Sequence, residues 1–328
     1  MSTTTAWPIV FDDVLAARER LRPFLSPTPL RRYPALDREV GHDLRVYLKH
    51  ENHNPTGAFK IRNALSVMTA LDAASRRRGV VAATRGNHGL GLAWAGAELG
   101  IPVTVVVPRG NNPEKNEAIS SLGATLVEAG ADYDEAVVAA EGLVRERGLT
   151  LVHSTNHPLV IAGAGTLALE ILEQQPDLDA LVLGVGGGSQ AVGALTVVRA
   201  LKPTAAVYAV QARGAAAIHD AWHSGVARAA ASADTFADGL ATRGVYALTF
   251  EALRAGLAGF VAVEDAELAA ALRLLLRTTH NLVEGAGAAG LAALLRLRAG
   301  LTGRRVAIVL SGGNIDLETL RRVVSREL

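Results

Sequence analysis

Leu181 to Gln211 reads LVLGVGGGSQAVGALTVVRALKPTAAVYAVQ. The opening run Leu181–Val185 is short, apolar and uninterrupted, the pattern of a strand buried on both faces. Gly186, Gly187 and Gly188 break that run, Ala and Leu at helical spacing follow, and Val207–Gln211 forms a second apolar run. Strand, glycine-rich turn, helix and strand make one crossover unit of a parallel sheet. Val80 to Val107 has the same design around the turn TRGNHG. Further apolar runs at Leu149–His153 and Arg305–Leu310 read as strands, and Glu135–Arg147, Gly163–Glu173 and Asp265–Thr279 read as helices. Such alternation predicts an α/β chain with mostly parallel sheets.

The 328 residues exceed what one small core absorbs, since domains commonly run to about 100–200 residues, so two domains are expected. No Pro- or Ser-rich linker separates them, which favours halves folded against each other. The net charge is +1 with the 33 basic residues dispersed, leaving no track for nucleic acid or an anionic membrane. A small metabolite is the better partner. The absence of cysteine removes disulfides, thiol nucleophiles and Cys-based zinc sites, and the nine histidines form no HExxH or HxH pair, so no metal site is expected. MSTTTAWPIVFDD has no basic start or long apolar stretch, and no run reaches the roughly 18 apolar residues of a membrane span. The expectation is a cytoplasmic protein.

Four segments could carry chemistry. In NPTGAFKIRNA, Asn54 to Ala64, a Pro-Thr-Gly turn delivers Lys60 to the start of a helix, and a primary amine is the one side chain here suited to condensing with an aldehyde. In GVGGGSQAVG, Gly184 to Gly193, successive glycines let backbone N–H groups converge at a helix start where a phosphate fits, with Ser189 adding a hydroxyl. Such turns also close ordinary corners or hold dinucleotides, although the GxGxxG spacing is not cleanly met. TRGNHG offers the Thr84 hydroxyl, the Asn87 amide and loop N–H groups to a carboxylate or phenolic oxygen, with Arg85 as a charged contact. SGGN, from Ser311 to Asn314, follows an apolar run at the sheet edge where open α/β folds bind ligands.

Taken in this order and spacing, from Thr28 to Asn314, these segments resemble the tryptophan synthase β superfamily of pyridoxal 5′-phosphate (PLP) enzymes, fold type II. The likeness is greatest to its threonine dehydratase and serine racemase branch. The resemblance implies two doubly wound domains with PLP in the cleft between them: a large cofactor-binding domain, residues 1–76 plus 153–328, and a small mobile substrate-binding domain, residues 77–152. It implies that Lys60 holds the cofactor covalently, that Gly186, Gly187, Gly188 and Ser189 hold its phosphate, and that Asn87 bonds its ring oxygen. Ser311 would face the pyridine nitrogen, with Phe59 and Gly239 covering the two ring faces. Thr84, Arg85, Gly86, Asn87 and His88 would form the substrate loop, and Lys60 and Ser311 the catalytic pair.

A neutral Ser311 leaves the ring a weaker electron sink than a carboxylate would, which suits elimination better than transamination. The activity so implied is an ammonia-lyase, or dehydratase, turning a β-hydroxy amino acid of the threonine or serine type into a 2-keto acid and ammonia. A PLP-dependent racemase or β-replacement enzyme on serine-like substrates is the alternative, and a non-catalytic binder of a phosphorylated ligand a remote one. The chain departs from the family pattern in places. Arg85 stands where racemases carry an acid/base serine, Asn63 replaces a usual glycine, and Leu90 a common glutamine, which opens the pocket question to bulkier substrates such as phenylserine. Gln211 and Ala217 replace acidic metal ligands of cation-activated relatives. The chain ends soon after SGGN, so no feedback-regulatory domain is expected, while a homodimer or homotetramer is.

Overall fold

The computed structural model describes residues 7–328. Among these residues ten strands form two sheets. The larger holds β1 (Leu30–Arg32), β2 (Arg45–His50), β7 (Ala180–Gly184), β8 (Ala206–Ala212), β9 (Gly259–Val263) and β10 (Arg305–Leu310) in the order β1-β2-β10-β7-β8-β9, with only β1 antiparallel. The smaller holds β3 (Val80–Ala83), β4 (Val103–Val107), β5 (Thr125–Glu128) and β6 (Thr150–Leu151) in the order β5-β4-β3-β6, all parallel. The mixed, mostly parallel α/β architecture expected from the sequence is the one observed.

The apolar runs are uninterrupted because alternate residues feed different cores. Leu181, Leu183, Ala307 and Val309 pack under the helices Pro158–Gln174 and Ser189–Leu201, whereas Ala180, Val182, Val306 and Ile308 face the helices Asp265–Thr279 and Gly285–Leu297. Helices cover both faces, which is why no polar alternation is visible. In the smaller sheet Val80, Ala82, Val103 and Val105 point one way, and Val81, Ala83 and Val106 point to Ala136 and Ala140 of the Tyr133–Arg147 helix.

The core beneath the smaller sheet draws on residues from outside 77–152. Ile61, Leu65 and Met68 of the Lys60–Met68 helix share it with Leu92 and Val105, as does Val160. That helix is also pressed against the helix Pro158–Gln174. A Cβ on Gly163 would lie 2.5 Å from the Arg62 carbonyl oxygen, so only glycine permits this approach. Beneath it lies a buried ionic cluster. Arg62 donates to Glu51 at 2.7 and 2.9 Å and to Glu170 at 2.6 and 2.9 Å, while Lys49 donates to Glu170 at 2.5 Å and to the Thr28 carbonyl at 2.7 Å. Among the described residues no helix is long and apolar enough to cross a membrane.

Candidate active site

Strand ends and loops from both sheets converge on one cleft. β3 ends at Ala83, and the turn Thr84–Gly86 leads into the helix Asn87–Leu99. β7 ends at Gly184, and Val185–Gly188 lead into the helix Ser189–Leu201, while β10 ends at Leu310, next to Ser311. The turn that carries Lys60 is fastened to this last strand end: Phe59 N–H donates to the Ser311 carbonyl at 3.0 Å, Gly313 N–H to the Gly57 carbonyl at 2.9 Å, and Ala58 and Gly312 form an isolated bridge. Phe59, Lys60, Thr84–His88, Gly186–Ser189, Gly239 and Ser311 all line this cleft, whereas Asn63, Leu90, Gln211, Ala217 and Asn314 do not.

The Lys60 amine donates to the Ser154 carbonyl at 2.9 Å and sits 5.2 Å from the centre of the Phe59 ring. Among the described residues it has no carboxylate partner, and desolvation pushes its pKa down to about 8. In the same cleft, the N–H groups of Gly187, Gly188 and Ser189 donate to no acceptor among the described residues. A helix start with converging, unsatisfied N–H groups is an anion site. Ser189 is buried, and its hydroxyl accepts from the Asn63 amide at 3.4 Å, so the residue that departs from the family pattern touches the anion loop.

In the loop from β3, Thr84 is turned inward. Its hydroxyl accepts from Gly86 N–H at 3.0 Å and Gly89 N–H at 3.3 Å, so it shapes the turn. Asn87 is pinned at both ends: its amide donates to Glu284 at 2.7 Å, and its oxygen accepts from Asn314 at 2.8 Å. The amide's second hydrogen has no acceptor among the described residues. His88 is buried, hydrogen-bonds the Val152 carbonyl through Nε2 at 3.0 Å, and is pushed down to about 3 by desolvation, so it is neutral. Arg85 lines the cleft with a buried Nε that has no partner.

Several lining residues escaped the sequence reading. Glu284, immediately before the Gly285–Leu297 helix, is buried, and desolvation pushes its pKa up to about 7 against the pull of Lys115 and Asn87. Lys115 is ion-paired to Asp238 across the mouth. Ser154, Thr155, Tyr133 and Tyr246 complete the wall. A carboxylate ahead of the glycine-rich run EGAGAAG was the one available signal for Glu284; the others are isolated residues brought in by the chain path.

The family model described as "Pyridoxal-phosphate dependent enzyme" matches residues 21–312. The chain belongs to the PLP-dependent enzyme family. It is 37% identical over 320 residues to an L-threonine ammonia-lyase of Thermotoga maritima, covering 98% of this chain and 79% of that protein. It is 36% identical to an L-threo-3-hydroxyaspartate ammonia-lyase of a Pseudomonas species, covering 94% and 96%. The solved structure of maize serine racemase superposes with a TM-score of 0.92 at 29% identity, covering 98% of each chain. These relationships make the chain a PLP-dependent ammonia-lyase of the dehydratase type.

The residues present fit that cofactor. The cleft is open at its mouth and brings Lys60, the Gly186–Ser189 loop, Asn87 and Ser311 to one lining. The anion loop is closely walled: a Cβ on Gly187 would lie 2.4 Å from Thr155 Oγ1, and one on Gly186 2.5 Å from the Gly239 carbonyl oxygen. Gly186→Ala therefore displaces the loop, and PLP affinity, titrated by visible absorbance, is expected to fall by about 100-fold, equivalent to an overpacking strain of a few kcal/mol. An affinity within about threefold of the parent would remove the loop from the phosphate site. Of the two positions compared with cation-activated relatives, Gln211 accepts from His219 N–H at 2.8 Å and Ala217 is buried.

Proposed function

We propose that the chain converts a β-hydroxy α-amino acid to a 2-oxo acid and ammonia, with Lys60 as the group that anchors the cofactor and then moves the substrate's α-proton. The observation that carries this reading is the Lys60 amine itself. It is desolvated, unpaired with any carboxylate among the described residues, lowered to about 8, and in one cleft with a loop of unsatisfied N–H groups. A lysine so tuned is a competent base near neutral pH.

Bound PLP supplies an electron-withdrawing ring that acidifies the substrate's Cα–H. The protein's residues do the rest. Gly186–Ser189 would hold the phosphate through N–H groups and the helix start, and the Asn87 amide would hold the ring oxygen. Ser311 would offer the ring nitrogen a neutral hydroxyl, which would limit charge build-up and favour loss of the β-substituent. Phe59 and Gly239 would flank the ring. The loop Thr84–His88 holds the α-carboxylate so that the Cα–H bond points toward Lys60, an alignment worth several orders of magnitude in rate. Lys60 Nζ takes the α-proton as the Cα–H bond breaks and passes a proton to the β-hydroxyl as the Cβ–O bond breaks, so that water leaves; the released enamine tautomerises to the imine, takes up water and gives up ammonium. Atoms balance without an oxidant or reductant.

Residues 77–152 are read as the part that closes over substrate. Support comes from ion pairs between residues 77–152 and the rest of the chain, Lys115 with Asp238 and Arg243 with Asp132 at 3.1 Å, which a wider opening has to break. The reading also includes a cytoplasmic homodimer or homotetramer, on family likeness. The test is to incubate PLP-loaded protein with L-threonine, L-serine, threo-3-hydroxyaspartate and threo-phenylserine and to measure ammonia and 2-oxo acid. Equal amounts of both from at least one substrate are expected. Inversion of configuration without ammonia would assign the racemase alternative instead.

A further inference from the structure

Arg85 sits in the turn between β3 and the Asn87–Leu99 helix, where it borders both the cleft and an adjoining polar pocket under Arg109 and Lys115. Asp132 is near enough to feel its charge, but no carboxylate bonds it among the described residues. It forms no ion pair or side-chain hydrogen bond among the described residues, and its Nε is a buried donor facing no acceptor. The carboxylates nearby are committed elsewhere. Asp132 is held by Arg243 at 3.1 Å and accepts Glu135 N–H at 3.0 Å, Asp238 is ion-paired to Lys115, and Glu284 is bound by Asn87 at 2.7 Å. A partly buried guanidinium without a counter-charge is costly unless a ligand completes it.

The substrate's α-carboxylate does not need that cation. The proposed grip on it comes from loop N–H groups at a helix start, which already favour an anion. An apolar or aromatic substituent on the β-carbon would leave the guanidinium dehydrated beside it with only its ring face to offer, whereas a carboxylate there pairs with the planar fork in two hydrogen bonds. Resting on the ammonia-lyase reading above, we propose that Arg85 is the specificity determinant of this site, and that it selects a β-hydroxy amino acid whose β-carbon bears a second carboxylate. The reaction on such a substrate breaks the same Cα–H and Cβ–O bonds and yields oxaloacetate and ammonium from 3-hydroxyaspartate.

The experiment compares the PLP-loaded parent with Arg85→Gln and Arg85→Lys. For the parent, kcat/KM is expected to be highest on threo-3-hydroxyaspartate. Arg85→Gln is expected to lower that value by about 100-fold, the cost of removing one partner of a desolvated charge pair, and to lower it at least about tenfold less on threonine, with most of the loss in KM. Arg85→Lys, which keeps the charge but not the fork, should recover part of it. A second readout needs no turnover: binding of succinate against butyrate, followed by the cofactor's absorbance. The parent should prefer succinate by at least about tenfold and Arg85→Gln should show no preference. Equal losses on both substrates in Arg85→Gln, a parent preference for phenylserine, or equal binding of succinate and butyrate by the parent would each overturn the assignment. Should no hydroxy amino acid release ammonia while succinate still outcompetes butyrate in an Arg85-dependent way, the reaction reading fails and the anion site stands.

Discussion

Lys60→Ala is expected to abolish ammonia release, with a loss of at least about 10⁴-fold, the upper range for removing a positioned general base, to which the loss of the covalent anchor adds. The variant should still fold, because the amine makes one hydrogen bond, to the Ser154 carbonyl, and no ion pair. Its PLP would bind without the absorption band of the lysine adduct, and borohydride would fix no cofactor to the chain. The parent's behaviour with pH follows from the lowered pKa. Below about 8 the amine is protonated and cannot add to an aldehyde, so the rate of PLP uptake by the cofactor-free protein should rise with pH through a midpoint of about 8. The same shift bears on stability with the sign of a depressed lysine. The folded state binds fewer protons than the unfolded one between about 8 and the ordinary lysine range, so the cost of burying this charge is full below pH 8 and relieved above it. Full turnover by Lys60→Ala would dismiss the lysine from the reaction.

Arg62→Ala is expected to cost about 3–5 kcal/mol, because it strips two buried carboxylates of their shared cation. Glu51 and Glu170 would face Lys49 alone, and Glu51 accepts from Arg62 through both oxygens. Burial pushes the Glu51 carboxyl up, but the adjacent guanidinium outweighs that and holds it below the usual range, so removing Arg62 leaves the burial penalty unopposed. In a chain of this size the midpoint of thermal unfolding should drop by about 10 °C, read by circular dichroism on cofactor-free protein. Arg62→Lys should recover little, since one ammonium cannot span two carboxylates in forked geometry. A midpoint within about 2 °C of the parent for Arg62→Ala would mean that the cluster contributes nothing net.

Much of this was readable in the sequence, and the reasons are local. β10 was legible at its observed bounds and β7 and β8 to within a residue at either end, because strands buried on both faces are continuous apolar runs. β1, β2 and β5 were not, since LRR, RVYLKH and TLVE mix charges into short strands at or next to a sheet edge. GFVAV, β9, is as apolar as the others, but it stands at the edge with no glycine turn after it to mark it. Lys60 and the three glycine-bearing turns were visible because their chemistry is local to one loop. Glu284 and the Lys115–Asp238 pair were not, because they become neighbours only when the chain has closed. The inward turn of Thr84 was also hidden: a hydroxyl before a glycine can serve a ligand or its own loop, and only the observed bonds to Gly86 and Gly89 decide.

The pairing of Phe59 with Ser311 and of Gly57 with Gly313 welds the turn bearing the amine to the end of β10. Under the proposed assignment, the base and the ring-nitrogen partner therefore travel together, and no hinge lies between them. If residues 77–152 close over substrate as proposed, the opening and closing is taken up on the side of the smaller sheet, and the register between amine and cofactor does not have to be found again in each cycle. Variation in the Thr84–His88 loop can then change what is accepted while leaving the proton-transfer geometry untouched.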